Sequence, residues 1–368
     1  MPAGPDRSAL ATRADAGARL GRRRLLLAGA AAAIAACSGG QRSPDAKPRA
    51  APPHATPPRA ARPVELWSAF DLPADDPRSR ELSGIAWDAE ARVLWAVHDA
   101  RPSIVALVPD RSLRTWTLGE TVELAIEGPL DLEGVVVVPG GFIVCSEKGP
   151  RIVEVDRAGR FRRDLALPPR LAGARRNKSL ESLTLSPSGR YLFTATETAL
   201  TRDGATATRS GGARVRIVRL ALDERGGEVS EHTYETDAAP HDDGDWGVSD
   251  LAALDDTRLL VLERGWAPGY GNTVRIYETA LDPRASSAGL ETLTTTSPAL
   301  AKTLLVDLAT LPAGGLPAPK QAQPTPLLDN YEGLALGPEL PDGRATLLLV
   351  SDDNGRADQF ARVLVLAL

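Results

Sequence analysis

The apolar residues of the chain from Pro63 onward fall in short runs that follow no helical period. The runs are rich in Val, Leu, Ile and Thr, and turns containing Gly, Pro and Asp separate them. Short β-branched runs bounded by turn residues are typical of strands, whereas an amphipathic helix would space its apolar residues three and four apart. The pattern therefore predicts an all-β fold for residues 63–368.

A short phrase recurs directly before five of these runs: a hydroxyl or carboxyl residue, usually followed by a small residue. The five repeat residues are Ser83, Glu133, Glu181, Ser249 and Glu332, found in LSGI, LEGV, LESL, VSDL and YEGL. They are spaced by 50, 48, 68 and 83 residues, which indicates repeated structural units with insertions in the later ones. Four of the units contain four predicted strands each.

The fifth unit has only three predicted strands, and an orphan strand lies at residues 63–73, before the first unit. If that strand completes the fifth unit, the ring closes and no sheet edge stays exposed. The sequence therefore predicts a β-propeller of five four-stranded blades, closed by the N-terminal strand pairing with the C-terminal blade. Six blades are the alternative, if the long fourth interval hides strands such as ETLTTTS near Glu291.

Polar, mostly acidic residues also follow the second strand of each unit. In a propeller blade the start of the inner strand and the end of the second strand lie at the same mouth of the channel. We therefore expect one acidic funnel, with cationic residues among the carboxylates. Its expected members are Glu133, Glu181, Glu332, Asp250, Asp99, Glu147, Glu197, Glu263 and Asp352, with Lys148, Arg264 and His98.

Carboxylates that share a mouth cannot all stay charged without a counter-ion. Ca²⁺, which takes about six to eight oxygen ligands, is the candidate cofactor. The candidate metal ligands are Glu133, Glu181, Glu197 and Glu332. The opposing interpretation is structural, with the carboxylates before the inner strands bonding backbone N–H groups of the neighbouring blade.

Other polar residues at the same mouth are candidates for catalysis and substrate binding. The candidate catalytic residues are Glu147, Lys148, His98 and Arg264, and the candidate substrate-binding residues are Trp266, Tyr270 and Asp352. The chain has only four His and no spaced His or Cys cluster, so no zinc site is predicted. It also has no G-x-S-x-G nucleophile elbow.

The first 37 residues predict an export signal rather than part of the fold. Arg22-Arg23-Arg24 precedes a short apolar stretch, which is a signal-peptide pattern. Ile34-Ala35-Ala36-Cys37 resembles a bacterial lipobox, which implies cleavage before Cys37 and its lipidation. The paired arginines resemble a twin-arginine signal, and an ordinary Sec signal is the alternative. We expect a periplasmic or outer-membrane lipoprotein that meets the membrane only through its lipid.

Residues 38–62 are rich in Pro and Ala and predict a disordered tether. The signal and the tether each carry a net charge of +4. Because the whole chain carries −5, residues 63–368 carry a net charge of about −13. A domain that acidic is not expected to bind nucleic acid through its general field. Cys145 is then the one cysteine of the domain, and its strand context predicts a buried, inert thiol.

Four segments together resemble the phytase-like family, described as "esterase-like activity of phytase". They are ELSGIAWD at Glu81, DLEGVVVVPGGFIVCSEK at Asp131, SLESLTLSPSGRYLFTATE at Ser179 and NYEGLALGPE at Asn330. The resemblance implies an exported β-propeller and hydrolysis of an ester or phosphoester. By motif position it covers Glu133, Glu147, Glu181, Glu197 and Glu332. Ser83 and Ser249 stand where the motif has Glu.

The sequence thus supports a first hypothesis: a lipid-anchored propeller that hydrolyses a small-molecule ester or phosphoester at a calcium-holding funnel. The second is a non-catalytic propeller that binds a ligand or a protein at the same funnel. The third is a structural envelope scaffold.

Overall fold

The computed structural model describes residues 63–223 and 227–368, which form five four-stranded antiparallel sheets. Four sheets take all their strands in chain order from one repeat unit, with the strand nearest the channel first, and the fifth combines the three strands of the last unit with the N-terminal strand. The predicted all-β propeller of five blades is confirmed. The predicted signal, the lipidation site Cys37 and the tether lie in residues 1–62, outside the described residues.

The strands are named in chain order. They are β1 (Glu65–Asp71), β2 (Leu82–Asp88), β3 (Val93–His98), β4 (Ser103–Pro109), β5 (Trp116–Glu123), β6 (Leu132–Val138), β7 (Gly141–Ser146), β8 (Arg151–Asp156), β9 (Phe161–Leu165), β10 (Thr184–Leu185), β11 (Tyr191–Ala195), β12 (Arg214–Ala221), β13 (Glu228–Glu235), β14 (Gly247–Ala253), β15 (Arg258–Ala267), β16 (Gly271–Ala280), β17 (Lys302–Asp307), β18 (Tyr331–Leu336), β19 (Thr346–Ser351) and β20 (Arg362–Ala367). Short 3₁₀ turns lie at Pro169–Gly173, Thr201–Asp203, Pro283–Ala285 and Leu308–Thr310. No helix in the described part of the chain is long and apolar enough to cross a bilayer.

Blades 1 to 4 are β2–β5, β6–β9, β10–β13 and β14–β17, and blade 5 is β18–β19–β20–β1. Strand β1 pairs antiparallel with β20, from Glu65 opposite Ala367 to Asp71 opposite Arg362. The first strand of the domain therefore supplies the outer strand of the last blade. The side chain of Arg362 is fully buried and pairs with Asp71, at 2.5 Å from Nε to Oδ1.

Apolar side chains fill the five interfaces between neighbouring blades, one cluster for each pair of blades. Between blades 1 and 2, for example, Trp95 meets Phe142 edge-on with ring centroids 5.0 Å apart. Each fully buried Leu, Val or Phe stabilises the fold by about 1.5–3 kcal/mol relative to an exposed one. The hydrophobic core is therefore a ring of five packed interfaces between blades, and it does not include the residues at the channel mouths.

The Ser/Thr-rich segment of the fourth interval does not form a sixth blade. It runs along β13, the outer strand of blade 3. The Ser287 N–H donates to the Glu231 carbonyl at 2.9 Å, and the Leu300 N–H donates to the Thr233 carbonyl at 2.8 Å. The segment therefore covers the exposed edge of β13, as a further strand would have done.

The repeated phrase marks a bulge in the inner strand. The pairing of the inner strand with the second strand shifts register between Leu132 and Gly134, between Val248 and Asp250, and between Tyr331 and Gly333. The skipped residues are the repeat residues Glu133, Ser249 and Glu332. A bulge leaves one residue out of the ladder and re-aims its side chain, so the inner strand can turn a polar group to the mouth.

The glycine that follows the repeat residue in blades 1, 2 and 5 is required by the neighbouring blade. A Cβ atom on Gly84 would lie 2.3 Å from the carbonyl oxygen of Glu133 in blade 2, and one on Gly134 would lie 2.7 Å from the Cβ of Leu183 in blade 3. In blade 5, a Cβ on Gly333 would lie 2.8 Å from the carbonyl oxygen of Ser83 in blade 1. Inner strands thus approach too closely there for a side chain.

We predict that Asp71→Ala destabilises the protein by roughly 2–4 kcal/mol, because it leaves the buried guanidinium of Arg362 without its carboxylate. Asp71→Asn, which keeps an acceptor oxygen, should lose less. Urea unfolding measures both. The matched control is Asp358→Ala, which breaks the exposed Arg356–Asp358 pair and should change stability by under about 0.5 kcal/mol. Equal losses at the two sites would show that the closing strand does not depend on this pair.

Candidate functional site

An open cavity of ≈ 540 Å³ lies at the channel mouth where the inner strands begin. We call it the funnel. Its lining residues are Asp99, Glu133, Asn177, Lys178, Glu181, Glu197, Asp245, Arg264, Trp266, Asn272, Gln321, Asn330, Glu332, Asp352, Asn354, Arg356 and Gln359. The opposite end of the inner strands borders a cavity of ≈ 430 Å³ whose walls are mainly apolar, with Val137, Leu185 and Leu336 among them. Charge is therefore concentrated at one mouth, as the sequence pattern predicts.

Three of the five repeat residues, Glu133, Glu181 and Glu332, bring their carboxylates to the funnel. The other two are serines whose hydroxyls bond the neighbouring blade. The Ser83 hydroxyl donates to Oε2 of Glu133 at 2.8 Å, and the Ser249 hydroxyl donates to the Tyr331 carbonyl at 3.2 Å. The ring of carboxylates is therefore asymmetric, with its members on blades 2, 3 and 5.

Three carboxylates of blade 2 form the tightest acidic group. One oxygen each of Asp131, Glu133 and Glu147 lies within 4.8 Å of the other two. The Ser179 N–H of blade 3 donates to Glu147 Oε1 at 2.8 Å, which fixes that carboxylate. Asp131 is held more loosely, by Lys148 Nζ at 3.0 Å from Oδ2, and the Lys148 side chain is half exposed. We refer to these three residues as the blade 2 triad.

Burial controls the charge state of the funnel. It raises the pKa of Glu133 and of Glu181 well above the usual range, and repulsion from neighbouring carboxylates, Glu332 and Glu133 respectively, adds to the shift. Burial also raises the pKa of Asp352, with Glu332 adding to it. For Glu332 burial again raises the pKa, and the charge of Arg264 opposes that rise. The charged forms of these carboxyls are therefore disfavoured, and the folded funnel keeps its protons to a higher pH than free carboxyls do.

Asp99 has the carboxyl group best matched to proton transfer near neutrality. Burial, together with the charge of Asp131 and a hydrogen bond to it, raises the pKa of Asp99 to about 7. Asp99 lines the funnel, at the end of the second strand of blade 1. A group with a pKa near the working pH is suited to act as a general base or acid.

Two of the three cations that line the funnel, Lys178 and Arg264, are paired with its carboxylates, and the third, Arg356, pairs with Asp358 outside the lining. Lys178 Nζ lies 3.1 Å from each carboxylate oxygen of Glu197 and 2.7 Å from Oδ2 of Asp245. Arg264 donates to Oε1 of Glu332 at 3.0 Å, and the Asn330 side-chain amide donates to the same oxygen at 3.0 Å. Glu197 and Glu332 are therefore committed to protein cations, unlike Glu133 and Glu181.

Asp250 and Glu263 are expected in the ring but do not line the funnel, and neither does Glu147, whose carboxylate belongs to the blade 2 triad beside it. Asp250 occupies the position after the repeat residue, where blades 1, 2 and 5 have glycine, and its carboxylate accepts the N–H of Leu334 in blade 5 at 2.7 Å. Glu263 is fully buried and accepts bonds from Tyr234, Trp246 and Lys302. Both carboxylates tie blades together, which is the structural role that the sequence left open.

His98, Tyr270 and Lys148 also lie outside the funnel lining. His98 is 2% exposed, and its ring nitrogens have no hydrogen-bond partner among the described residues. Burial lowers the pKa of His98, which keeps the ring neutral. Tyr270 is 59% exposed and stacks on His241 at 3.8 Å between ring centroids. Trp266 and Asp352, in contrast, line the funnel as expected.

Cys145 is fully buried in β7 and its Sγ faces the Ser182 carbonyl at 3.8 Å. Burial raises the pKa of the thiol well above its usual value. The thiol is thus buried and protonated, as its strand context predicts.

Sequence reasoning missed Asp131, which completes the blade 2 triad, and the amide groups of the funnel. A usable signal for two of them is the two-residue period of a strand. Asp131 and Asn330 stand two residues before Glu133 and Glu332, and both lie beside the carboxylate that follows. Asn272 and Gln321 carry no such local signal, because they come from a third strand and a long loop.

These features define a five-bladed β-propeller with an acidic funnel at one mouth. The family model described as "Phytase-like: Esterase-like activity of phytase" matches residues 77–355, well over half of the chain. The chain belongs to this phytase-like family. No curated protein shows a significant match to it.

Many solved structures match this chain at low sequence identity and low TM-score. They include glutaminyl cyclase of Myxococcus xanthus (11% identity, 83% of this chain and 100% of that chain, TM-score 0.37). A gluconolactonase, XC5397 of Xanthomonas campestris, is 14% identical over 83% of this chain and 88% of that chain, with a TM-score of 0.36. Hydrazine synthase of Kuenenia stuttgartiensis is 12% identical over 74% of this chain, with a TM-score of 0.37, and this chain spans only 65% of its length. Likeness at this level concerns the fold and assigns no activity.

The raised pKa values predict an unusual pH dependence for the metal-free protein. Between the unfolded carboxyl pKa near 4 and the Asp99 pKa of about 7, the folded state holds more protons than the unfolded state. Stability must then fall as pH rises through this window. Thermal unfolding at a series of pH values should show a falling midpoint, and Glu133→Gln, which mimics the protonated side chain, should flatten the fall. A midpoint that rises across the window would contradict the assignment.

Proposed function

We propose that the protein is a hydrolase of a small-molecule ester and that its funnel holds a divalent cation, Ca²⁺, at the blade 2 triad. One observation carries the proposal: Asp131, Glu133 and Glu147 bring three carboxylate oxygens within 4.8 Å of one another beside an open cavity. Membership of the phytase-like family supports ester or phosphoester hydrolysis as the class of reaction. We also propose export and lipidation at Cys37, on the sequence signal alone.

The donor set fits Ca²⁺. Oxygens bound to one Ca²⁺ lie about 2.3–2.6 Å from it, so two of them can be no more than about 5 Å apart, and the triad meets this limit. Three carboxylates are hard oxygen ligands without nitrogen or sulfur, which disfavours zinc. Lys148 now neutralises Asp131 and is exposed enough to move away when a cation binds.

When bound, Ca²⁺ would polarise the substrate's carbonyl oxygen and favour deprotonation of a water. The chain's own residues supply the rest. Asp99, which lines the funnel and hydrogen-bonds Asp131, would take the proton of the attacking water and return it to the leaving alcohol. The Ser179 N–H keeps Glu147 in place, and the Ser83 hydroxyl keeps Glu133 in place. This assigns to Asp99 the role that the sequence suggested for His98.

The paired cations favour an ester over a phosphoester. Lys178 and Arg264, which could otherwise hold phosphate oxygens, are neutralised by Glu197, Asp245 and Glu332. A phosphate group would meet a carboxylate majority, and like charges in a desolvated site repel strongly. An uncharged ester does not face this penalty.

We predict that Ca²⁺ raises the thermal midpoint of the metal-stripped protein, since a ligand that binds only the folded state stabilises it by mass action. Glu133→Gln should remove most of the rise. The matched control is Glu291→Gln, at a carboxylate that is 93% exposed and remote from the triad, and it should leave the rise intact. An equal rise in both variants would place the cation elsewhere.

Activity is tested with p-nitrophenyl acetate and p-nitrophenyl phosphate, each with Ca²⁺ and with chelator. We expect Ca²⁺-dependent hydrolysis of the acetate and a fall in kcat/KM of about 10²-fold or more in Glu147→Gln. Asp99→Asn should lower kcat and remove the pH dependence near pH 7. Hydrolysis of neither substrate would favour the non-catalytic ligand-binding propeller instead.

A further inference from the structure

The amide side chains of this chain are few and gathered in one place. The whole sequence contains four Asn and four Gln. One of the eight, Gln41, lies outside the described residues. Six of the other seven line the funnel: Asn177, Asn272, Gln321, Asn330, Asn354 and Gln359. Because only 17 residues line the funnel, random placement would put fewer than one of the seven there.

The amides are concentrated on the side of the funnel opposite the blade 2 triad. Asn272 begins β16 of blade 4, and Gln321 comes from the connection between β17 and β18. Asn354 and Gln359 lie in the loop after β19 of blade 5. We call these four residues the amide wall. The funnel therefore has a carboxylate side around the blade 2 triad and a mixed side on blades 4 and 5, where the amide wall lies among Arg264, Glu332, Asp352 and Arg356.

Asn272 is the central observation. Its side chain is 1% exposed, lines the funnel, and has no hydrogen-bond partner for either Oδ1 or Nδ2 among the described residues. Nε2 of Gln321 and Nε of Arg264, both on residues of the same lining, are buried and unpartnered as well. A buried amide without partners costs free energy, so these groups are placed to bond something that enters the funnel.

The position of Asn272 is fixed by its surroundings. Its backbone N–H donates to Oε1 of Gln323 at 2.7 Å. Gly271 precedes it at φ +83°, and a Cβ there would lie 2.1 Å from the Ala322 carbonyl oxygen. The wall is thus preorganised by close packing of the β16 start against the 321–323 segment.

An aromatic face adjoins the wall. Trp266 pairs directly with Asn272 across β15 and β16, so the two side chains project from the same face of the sheet. Trp266 also lines the funnel, and its side chain is 42% exposed. An exposed indole beside unpartnered amides offers an apolar surface and hydrogen-bond donors and acceptors to one ligand.

We propose that the amide wall and Trp266 bind an uncharged polyhydroxylated ring, such as a sugar or a cyclic polyol. Each hydroxyl of such a ring both donates and accepts, which matches amides that present both kinds of group. The C–H face of the ring would pack on the indole. An extended peptide would instead seek an unpaired strand edge. The wall offers amides from three segments, and two of them, Asn354 and Gln359, bond each other at 3.1 Å. A polyanion is disfavoured by the surrounding carboxylates.

This inference deepens the proposed function. It rests on that function for one statement, that the bound ring is the alcohol part of the ester. Binding itself needs neither Ca²⁺ nor turnover. A failure of catalysis and a failure of the ring site can therefore be told apart.

The test is isothermal titration calorimetry of the full-length protein in chelator with cellobiose and with myo-inositol. Inositol hexakisphosphate serves as the charged comparator, and N-acetyl-triglycine as the peptide comparator. We expect at least one neutral ring to bind and the hexakisphosphate to bind at least about tenfold more weakly. Failure of both neutral rings to bind at their solubility limits, or binding of the peptide alone, overturns the proposal.

Two variants locate the binding. Asn272→Leu, which removes the amide at similar size, should weaken binding of the ring about tenfold or more. Trp266→Ala should weaken it as well and gives a second variant if Asn272→Leu does not fold. The matched control is Thr279→Val, at a buried polar group of the same strand whose hydroxyl bonds the Ala301 carbonyl away from the funnel. Binding that survives both funnel variants, or falls equally in Thr279→Val, overturns the assignment.

Discussion

The close approach of the inner strands of neighbouring blades is the constraint on which the rest of the structure depends. At the position after the repeat residue, a blade either has no room for a side chain or holds a polar one that is hydrogen-bonded, as Ser182 of blade 3 is to the Ala195 N–H. Gly84, Gly134 and Gly333 satisfy the first condition, and Asp250, bound to the Leu334 N–H, satisfies the second. The bulge beside this contact turns the preceding residue to the mouth. The same local geometry therefore closes the ring and builds the funnel.

The carboxyl groups of the funnel have raised pKa values because they lie close together where water cannot fully solvate their charges. Burial alone raises the pKa values of Glu133 and Glu181, and neighbouring charges raise them further. Protein cations relieve one part of this cost at Glu197 and Glu332. The blade 2 triad has only the mobile Lys148. That difference is why we assign the cation to blade 2 rather than to a symmetric ring of glutamates.

Much of this architecture was predictable from the sequence. The spacing of the repeat residues gave the blade count, and the three-stranded fifth unit indicated that the 63–73 strand would be used in it. The acidic mouth followed from polar residues at fixed places in each unit. The roles of individual residues could not be predicted from the sequence. Asp250 and Glu263 have the right residue type but the wrong position. Asp250 follows the repeat residue by one place, and Glu263 pairs with Val248 inside the sheet, one place before Arg264, which lines the funnel. Asn272 and Gln321 meet only through tertiary packing, which no local pattern records.

The central claim is that a cation replaces protons at the blade 2 triad. Calorimetric titration of the metal-stripped protein with Ca²⁺ near pH 7, in two buffers of different ionisation enthalpy, measures how many protons leave for each ion bound. The account predicts release of at least about one proton, since carboxyls with raised pKa values must ionise to bind a metal, and predicts that Glu133→Gln reduces the release. Calcium binding without proton release, or no binding at all, would contradict it.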